Sequence, residues 1–94
     1  MEKRLLFYFE GKVQGVGFRY TARYLAKRRN LKGWVMNLPD GRVKLLAQGK
    51  KEDLDNFLSD LKDEFSGYIK DVKIEELSPA SDLKSFEIRY YSYY

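Results

Sequence analysis

The sequence predicts an α+β fold: a ferredoxin-like βαββαβ sandwich, one antiparallel sheet with two helices packed on one face. Three observations predict it. Apolar and polar residues alternate in "LLFYFEGKV", "RVKLLAQG" and "SFEIRY", the period of a half-buried strand. Two longer segments, "FRYTARYLAKRRN" and "KEDLDNFLSDLKDEF", repeat apolar residues at helical spacing. Between two strand segments, "NLPDGR" carries the residues of a tight turn.

Each element has its own pattern. In the first strand, Leu5, Phe7, Phe9, Gly11 and Val13 share one face, while Leu6, Tyr8, Glu10 and Lys12 share the other. The first helix places Phe18, Ala22, Leu25 and Ala26 on one stripe and its basic residues elsewhere. Asn30 suits a left-handed stop, and Arg28 and Arg29 suit the negative end of a helix. "KGWVMN" reads as the second strand. Pro39 fixes φ at the second turn position, and Asp40 and Gly41 complete a type I pattern. The returning strand puts Val43, Leu45 and Ala47 on one face, and the two strands form a hairpin.

The second helix is the clearest. Leu54, Phe57, Leu58, Leu61 and Phe65 make its apolar stripe, Glu52 and Asp53 suit its positive start, and Gly67 ends it. "DVKIEEL" is a weak fourth strand with a mostly polar outer face. After a loop from Pro79 to Lys84, Phe86, Ile88 and Tyr90 alternate in the last strand. The tail "YYSYY" has no readable pattern. At 94 residues the chain suits a single domain spanning 1–94, with no linker or low-complexity stretch. Such a domain buries about 60–65% of its unfolded surface, so packing quality matters.

Charge is unevenly distributed. From Gly11 to Pro39 there are seven basic residues (Lys12, Arg19, Arg23, Lys27, Arg28, Arg29 and Lys32) and no acid. Of 18 basic residues, 11 then remain elsewhere against 14 acids, a balance of −3. The positive field points to an anionic partner, a small phosphate compound or a nucleic acid. A solvated helix face is the plainer reading of charge alone.

Absent residues exclude several chemistries. Without cysteine there is no disulfide framework and no thiolate nucleophile. The lack of histidine removes the usual acid–base group near neutral pH and the Ser–His pair. The carboxylates are scattered, without metal-ligand spacing, so no metal and no cofactor is expected. No apolar run is long enough to span a membrane, and the N-terminus does not fit a signal peptide; a cytoplasmic location is expected. Any catalysis must rest on position and fixed charge.

The stretch "GKVQGVGFRY" brings these points together. Gly15 and Gly17 lie between a strand and a helix, where they permit positive φ and close approach of a ligand to the backbone. Successive N–H groups there can converge on an anion, and the helix that follows adds its own unpaired N–H groups and dipole. Arg19, in the first turn, carries a planar fork that matches two phosphate oxygens. The stretch is neither a dinucleotide fingerprint, lacking the third glycine and the downstream acid, nor a P-loop, lacking the Lys-Ser/Thr pair. The bland alternative is a tight turn with an exposed arginine. Asn37 likewise has a bland alternative, the capping of the "NLPDG" turn.

Followed by "LKGWVMNLPDG", this stretch resembles the acylphosphatase family. The resemblance runs from about Leu5 to Ile88 in register and element order. It implies the same βαββαβ fold and hydrolysis of the carboxyl–phosphate anhydride of acyl phosphates. By match with the family, the phosphate-binding loop is Gln14, Gly15, Val16, Gly17, Phe18 and Arg19, with Arg19 the phosphate-binding arginine. The same match places the catalytic asparagine at Asn37, where it would orient the attacking water.

Two positions depart from the family pattern. Asn30 stands where glycine is usual, and asparagine also tolerates the left-handed conformation. "SGYIKDV" replaces a Gly-Pro-rich segment and loosens the alignment of the fourth strand. The expected partners are a small acyl phosphate, inorganic phosphate or a similar anion, without nucleic acid or membrane, and the expected state is a monomer. Phe18 and Trp34 read as core.

Two other functions fit the layout. An RNA-binding module shares βαββαβ order, but the aromatic strand motif of such modules is missing. A catalytically silent interaction domain is compatible with the fold alone.

Overall fold

A computed structural model describes residues 2–92. The elements are β1 (Glu2–Gly11), α1 (Phe18–Arg28), β2 (Lys32–Asn37), β3 (Val43–Lys50), α2 (Lys51–Glu64), β4 (Ile69–Leu77) and β5 (Phe86–Ile88). They follow the expected order, and the expected last strand, β5, is short. Of the aromatic tail, Tyr93 and Tyr94 lie outside the described residues.

The sheet order is β4-β1-β3-β2-β5. β1 pairs antiparallel with both β3 and β4, and β3 with β2. The sheet is mixed rather than wholly antiparallel, because β5 adds to β2 in parallel, with Val35 opposite Ile88. A parallel neighbour needs a long crossover; the connection from β2 to β5 takes in β3, α2 and β4, and residues 78–85 carry the chain from β4 at one sheet edge to β5 at the other. β4 is longer than its sequence suggests. Its pairing with β1 compensates for a poor apolar face.

The predicted apolar stripes become the core. Phe7 and Phe9 of β1, Val43, Leu45 and Ala47 of β3, and Phe18, Ala22, Leu25 and Ala26 of α1 are buried together. From α2 come Leu54, Phe57 and Leu61, with Phe65 beyond its end and Leu58 packed at the margin. Aromatic rings run through this core in contact. Phe9 and Phe18 have centroids 4.9 Å apart, and Phe18 and Phe65 are 4.7 Å apart. Edge-to-face and offset arrangements of this kind add to simple burial. Phe18 thereby pins the start of α1 onto the sheet and onto the end of α2.

Trp34 departs from its expected place. It lies half-buried on the sheet face opposite the helices, because it neighbours Val35, which points into the core. The Lys44 ammonium and the Arg89 guanidinium lie 5.8 and 5.7 Å from its ring. Tyr90 also departs, since β5 ends at Ile88 and Tyr90 is exposed beyond it. Asn30 takes the left-handed conformation expected of it, with φ 56°.

Candidate active site

The segment between β1 and α1 turns sharply through two left-handed glycines, Gly15 at φ 77° and Gly17 at φ 79°. A side chain at either position would meet no atom within 4 Å, so that flank of the loop is open. Gly17 is also the residue that caps α1, and it offers no side-chain acceptor. The first helical bond runs from the Thr21 N–H to the Gly17 carbonyl at 3.1 Å. The N–H groups of Phe18, Arg19 and Tyr20 therefore have no intrahelical acceptor. The first turn contains no acid to compensate them. An anion supplies what this helix start lacks.

The loop is held from the other side by Gln14. Its side-chain nitrogen donates to the Leu38 carbonyl at 2.8 Å and to the Arg42 carbonyl at 2.9 Å. Those carbonyls belong to the β2–β3 turn, which closes on itself through Leu38 N–H to Arg42 O at 2.8 Å. Asp40 accepts the Arg42 backbone N–H at 3.1 Å and its guanidinium at 2.9 Å. The backbone bond, followed by the Arg42 charge, holds the Asp40 carboxyl below its usual range.

Asn37 closes β2 just before this turn. Strand alternation puts it on the same side as the buried Val35, which is the helix side. Its Oδ1 is buried and has no hydrogen-bond partner among the described residues. Gln14 and Asp40 hold the turn, so the alternative role of Asn37 as a turn cap is not what this geometry displays.

Val13, Gly15, Gly17, Phe18, Arg19, Tyr20 and Asn37 line one cavity of about 200 Å³. Five of the expected site residues meet there. Gln14 does not line it; both its donors are committed to the turn. Val16 is half-buried against the core and does not line it either. Val13 and Tyr20 were not expected. Val13 reads simply as the end of a strand face, and Tyr20 as one of several exposed helix residues. Their only sequence signal is adjacency to the glycine loop. Arg19 is half-buried, and its guanidinium carbon lies 5.4 Å from the centroid of the Tyr90 ring. The lining contains no carboxylate, and no cluster of metal-binding side chains occurs among the described residues. Backbone N–H donors, one fixed cation and the Asn37 carboxamide meet there, an arrangement chemically suited to an anion.

Comparison with known proteins identifies the family of the chain. The family model described as acylphosphatase matches residues 5–88. An acylphosphatase of Archaeoglobus fulgidus is 42% identical over 87 residues, covering 88% of this chain and 93% of its own. One from Thermotoga petrophila is 41% identical over 90 residues, covering 95% and 99%. Among solved structures, the acylphosphatase of Bacillus subtilis superposes with a TM-score of 0.87 at 37% identity, covering 96% of this chain and all of that one.

Proposed function

The chain belongs to the acylphosphatase family, and from that premise we propose how its own residues cleave the carboxyl–phosphate bond of an acyl phosphate. The substrate phosphoryl group rests on the N–H groups of the Gly15–Phe18 loop and the first turn of α1. Arg19 pairs with two of its oxygens through both arms of the guanidinium. In the transition state, charge spreads over three equatorial oxygens, and preorganised donors stabilise it without reorganising.

The observation that carries the reading is Asn37 in the lining of this cavity, with a buried side-chain Oδ1 that has no hydrogen-bond partner among the described residues. A buried acceptor without a donor is costly and rare. In this reading the Asn37 carboxamide holds a water beside the phosphoryl group bound by the loop. The water oxygen attacks phosphorus as the bond from phosphorus to the acyl oxygen breaks. The carboxylate leaves with the bonding pair and needs no proton, which suits a chain without histidine. The water proton passes to a phosphate oxygen or to solvent. Asn37 positions the water by hydrogen bonding and does not act as a base.

Gln14 contributes by fixing the distance between loop and turn. We assign it a positioning role in place of direct phosphate contact, because its donors are occupied. The working form is proposed to be a cytoplasmic monomer, one domain over 1–94, acting on a small substrate and not on nucleic acid. The small cavity supports the substrate assignment, and no helix among the described residues is long and apolar enough to cross a membrane.

The direct test is to incubate purified protein with benzoyl phosphate, without added metal, and follow its loss. Release of benzoate and phosphate above the spontaneous rate is expected. No acceleration by folded protein would reject the reading.

A further inference from the structure

The sheet carries the end of the chain to the candidate site. Because β5 runs parallel to β2, its residues advance in the same direction as those that lead to Asn37. Val35 stands opposite Ile88, and the Arg89 N–H donates to the Val35 carbonyl at 2.9 Å. Tyr90 follows two residues past Ile88, as Asn37 follows two past Val35. Tyr90 is 73% exposed, yet its ring centroid lies 5.4 Å from the Arg19 guanidinium carbon.

The chemistry of this contact differs from that of other arginines nearby. Arg29 is bound to Asp60 at 2.9 Å and Arg42, which also lies 4.7 Å from the Tyr8 ring, to Asp40 at 2.9 Å, so a carboxylate engages part of each fork. Arg19 has no ion pair among the described residues. A carboxylate partner would cancel its charge and compete with phosphate for the fork. A ring face attracts the cation through its quadrupole and accepts none of the in-plane N–H donors. Arg23 and Arg28 also lie near tyrosine rings, Tyr20 at 5.5 Å and Tyr24 at 5.7 Å, but neither arginine lines the cavity.

We propose that Tyr90 is a positioning residue that holds the Arg19 guanidinium at the phosphate loop while leaving its donors free for the anion. The proposal rests on the reading of Arg19 as the phosphate-binding residue. Tyr90 does not touch the substrate; it narrows the range of Arg19 conformations that must be ordered on binding. Its exposure means that the fold does not depend on it.

The experiment measures inorganic phosphate binding by calorimetry, with benzoyl phosphate kinetics beside it. The proteins are wild type, Tyr90→Phe, Tyr90→Leu, Arg19→Ala and the Arg19→Ala/Tyr90→Leu double variant. From the strength of exposed cation–ring contacts, Tyr90→Leu is expected to weaken phosphate binding about two- to fivefold. KM should rise by a similar factor, kcat should change less, and the melting temperature should stay put. Tyr90→Phe keeps the ring face and is expected to match wild type. In the Arg19→Ala background the leucine should add nothing.

If Tyr90→Leu binds phosphate as wild type does while Arg19→Ala loses it, the Tyr90 role is overturned and the phosphate reading stands. If Tyr90→Phe is as weak as Tyr90→Leu, or the leucine weakens binding further without Arg19, the ring-face mechanism is overturned. If Arg19→Ala binds phosphate normally, the phosphate reading itself falls, and this inference with it.

Discussion

The side-chain nitrogen of Gln14 donates to the backbone carbonyl of Leu38 at 2.8 Å, joining the glycine loop to the turn that follows Asn37. These residues are 24 apart in sequence. Through this contact the glycine loop, proposed to bind the anion, is tied to the turn beside Asn37, proposed to position the water.

Gln14→Glu tests that coupling. It replaces a donor with an acceptor facing two carbonyls, Leu38 and Arg42. Leaving such groups unpaired costs about 1–3 kcal/mol. A lower urea midpoint is expected, together with a raised KM for benzoyl phosphate. If Gln14→Glu melts and binds as wild type does, the contact does not organise the site.

Arg19 and Asn37 should fail differently. Arg19→Ala removes the charge that meets the phosphoryl oxygens, and kcat/KM should fall about a thousandfold, as for other transition-state arginines. Phosphate binding should weaken as well. Arg19→Lys should recover little, since an ammonium cannot form the paired bonds of the fork. Asn37→Ala should lower kcat about a hundredfold, the usual loss for one preorganised polar group. Its phosphate affinity should stay near wild type, and its stability should hold or rise, because an unpartnered buried oxygen is removed. Full turnover by a folded Asn37→Ala protein would refute the water-positioning role.

Gly17→Ala isolates the backbone requirement. The new methyl meets nothing within 4 Å, so only the φ of 79° opposes it. A left-handed non-glycine residue costs about 1–2 kcal/mol. That loss should be visible in chemical denaturation, with weaker phosphate binding. Gly17→Asn should lose less on both counts, since asparagine tolerates this conformation. Equal losses for the two would point to something other than φ.

The pH profile should be shallow. No carboxylate, imidazole or thiol lines the cavity, so nothing there is suited to titrate between about pH 5 and 8. Asp40 is the nearby exception in sign. Its folded carboxyl is held below the ordinary value of 3.8, so its contribution to the turn is complete above that value. It is lost only as pH falls through the lowered value, well outside the window. The measurement is kcat against pH with two substrates of different leaving-group acidity. A steep bell near neutrality for both would reveal a titrating group in the mechanism. EDTA should leave the rate unchanged, because a lining of N–H donors and one guanidinium repels a metal cation.

Local pattern made much of this protein legible before any coordinates. Alternation in β1 and β3 and helical spacing in α1 and α2 named nearly every core residue, from Phe7 to Phe65. They could do so because side-chain direction follows from the period of the local backbone. The glycines and Arg19 carried a local signal for a related reason, whereas Asn37 was singled out only by the family resemblance. Positive φ, a helix start and a planar cation are properties of single residues in short context.

Tertiary structure decided what lay beyond that reach. It committed Gln14 to a distant turn, left the Asn37 oxygen without a partner, moved Trp34 to the open sheet face and brought Tyr90 beside Arg19. Gln14 reaches its turn because the β1–α1 loop lies beside the β2–β3 turn, and Tyr90 reaches Arg19 through the parallel pairing of β5 with β2. Such pairing joins residues far apart in the chain, and no short-range period records which strands will be neighbours.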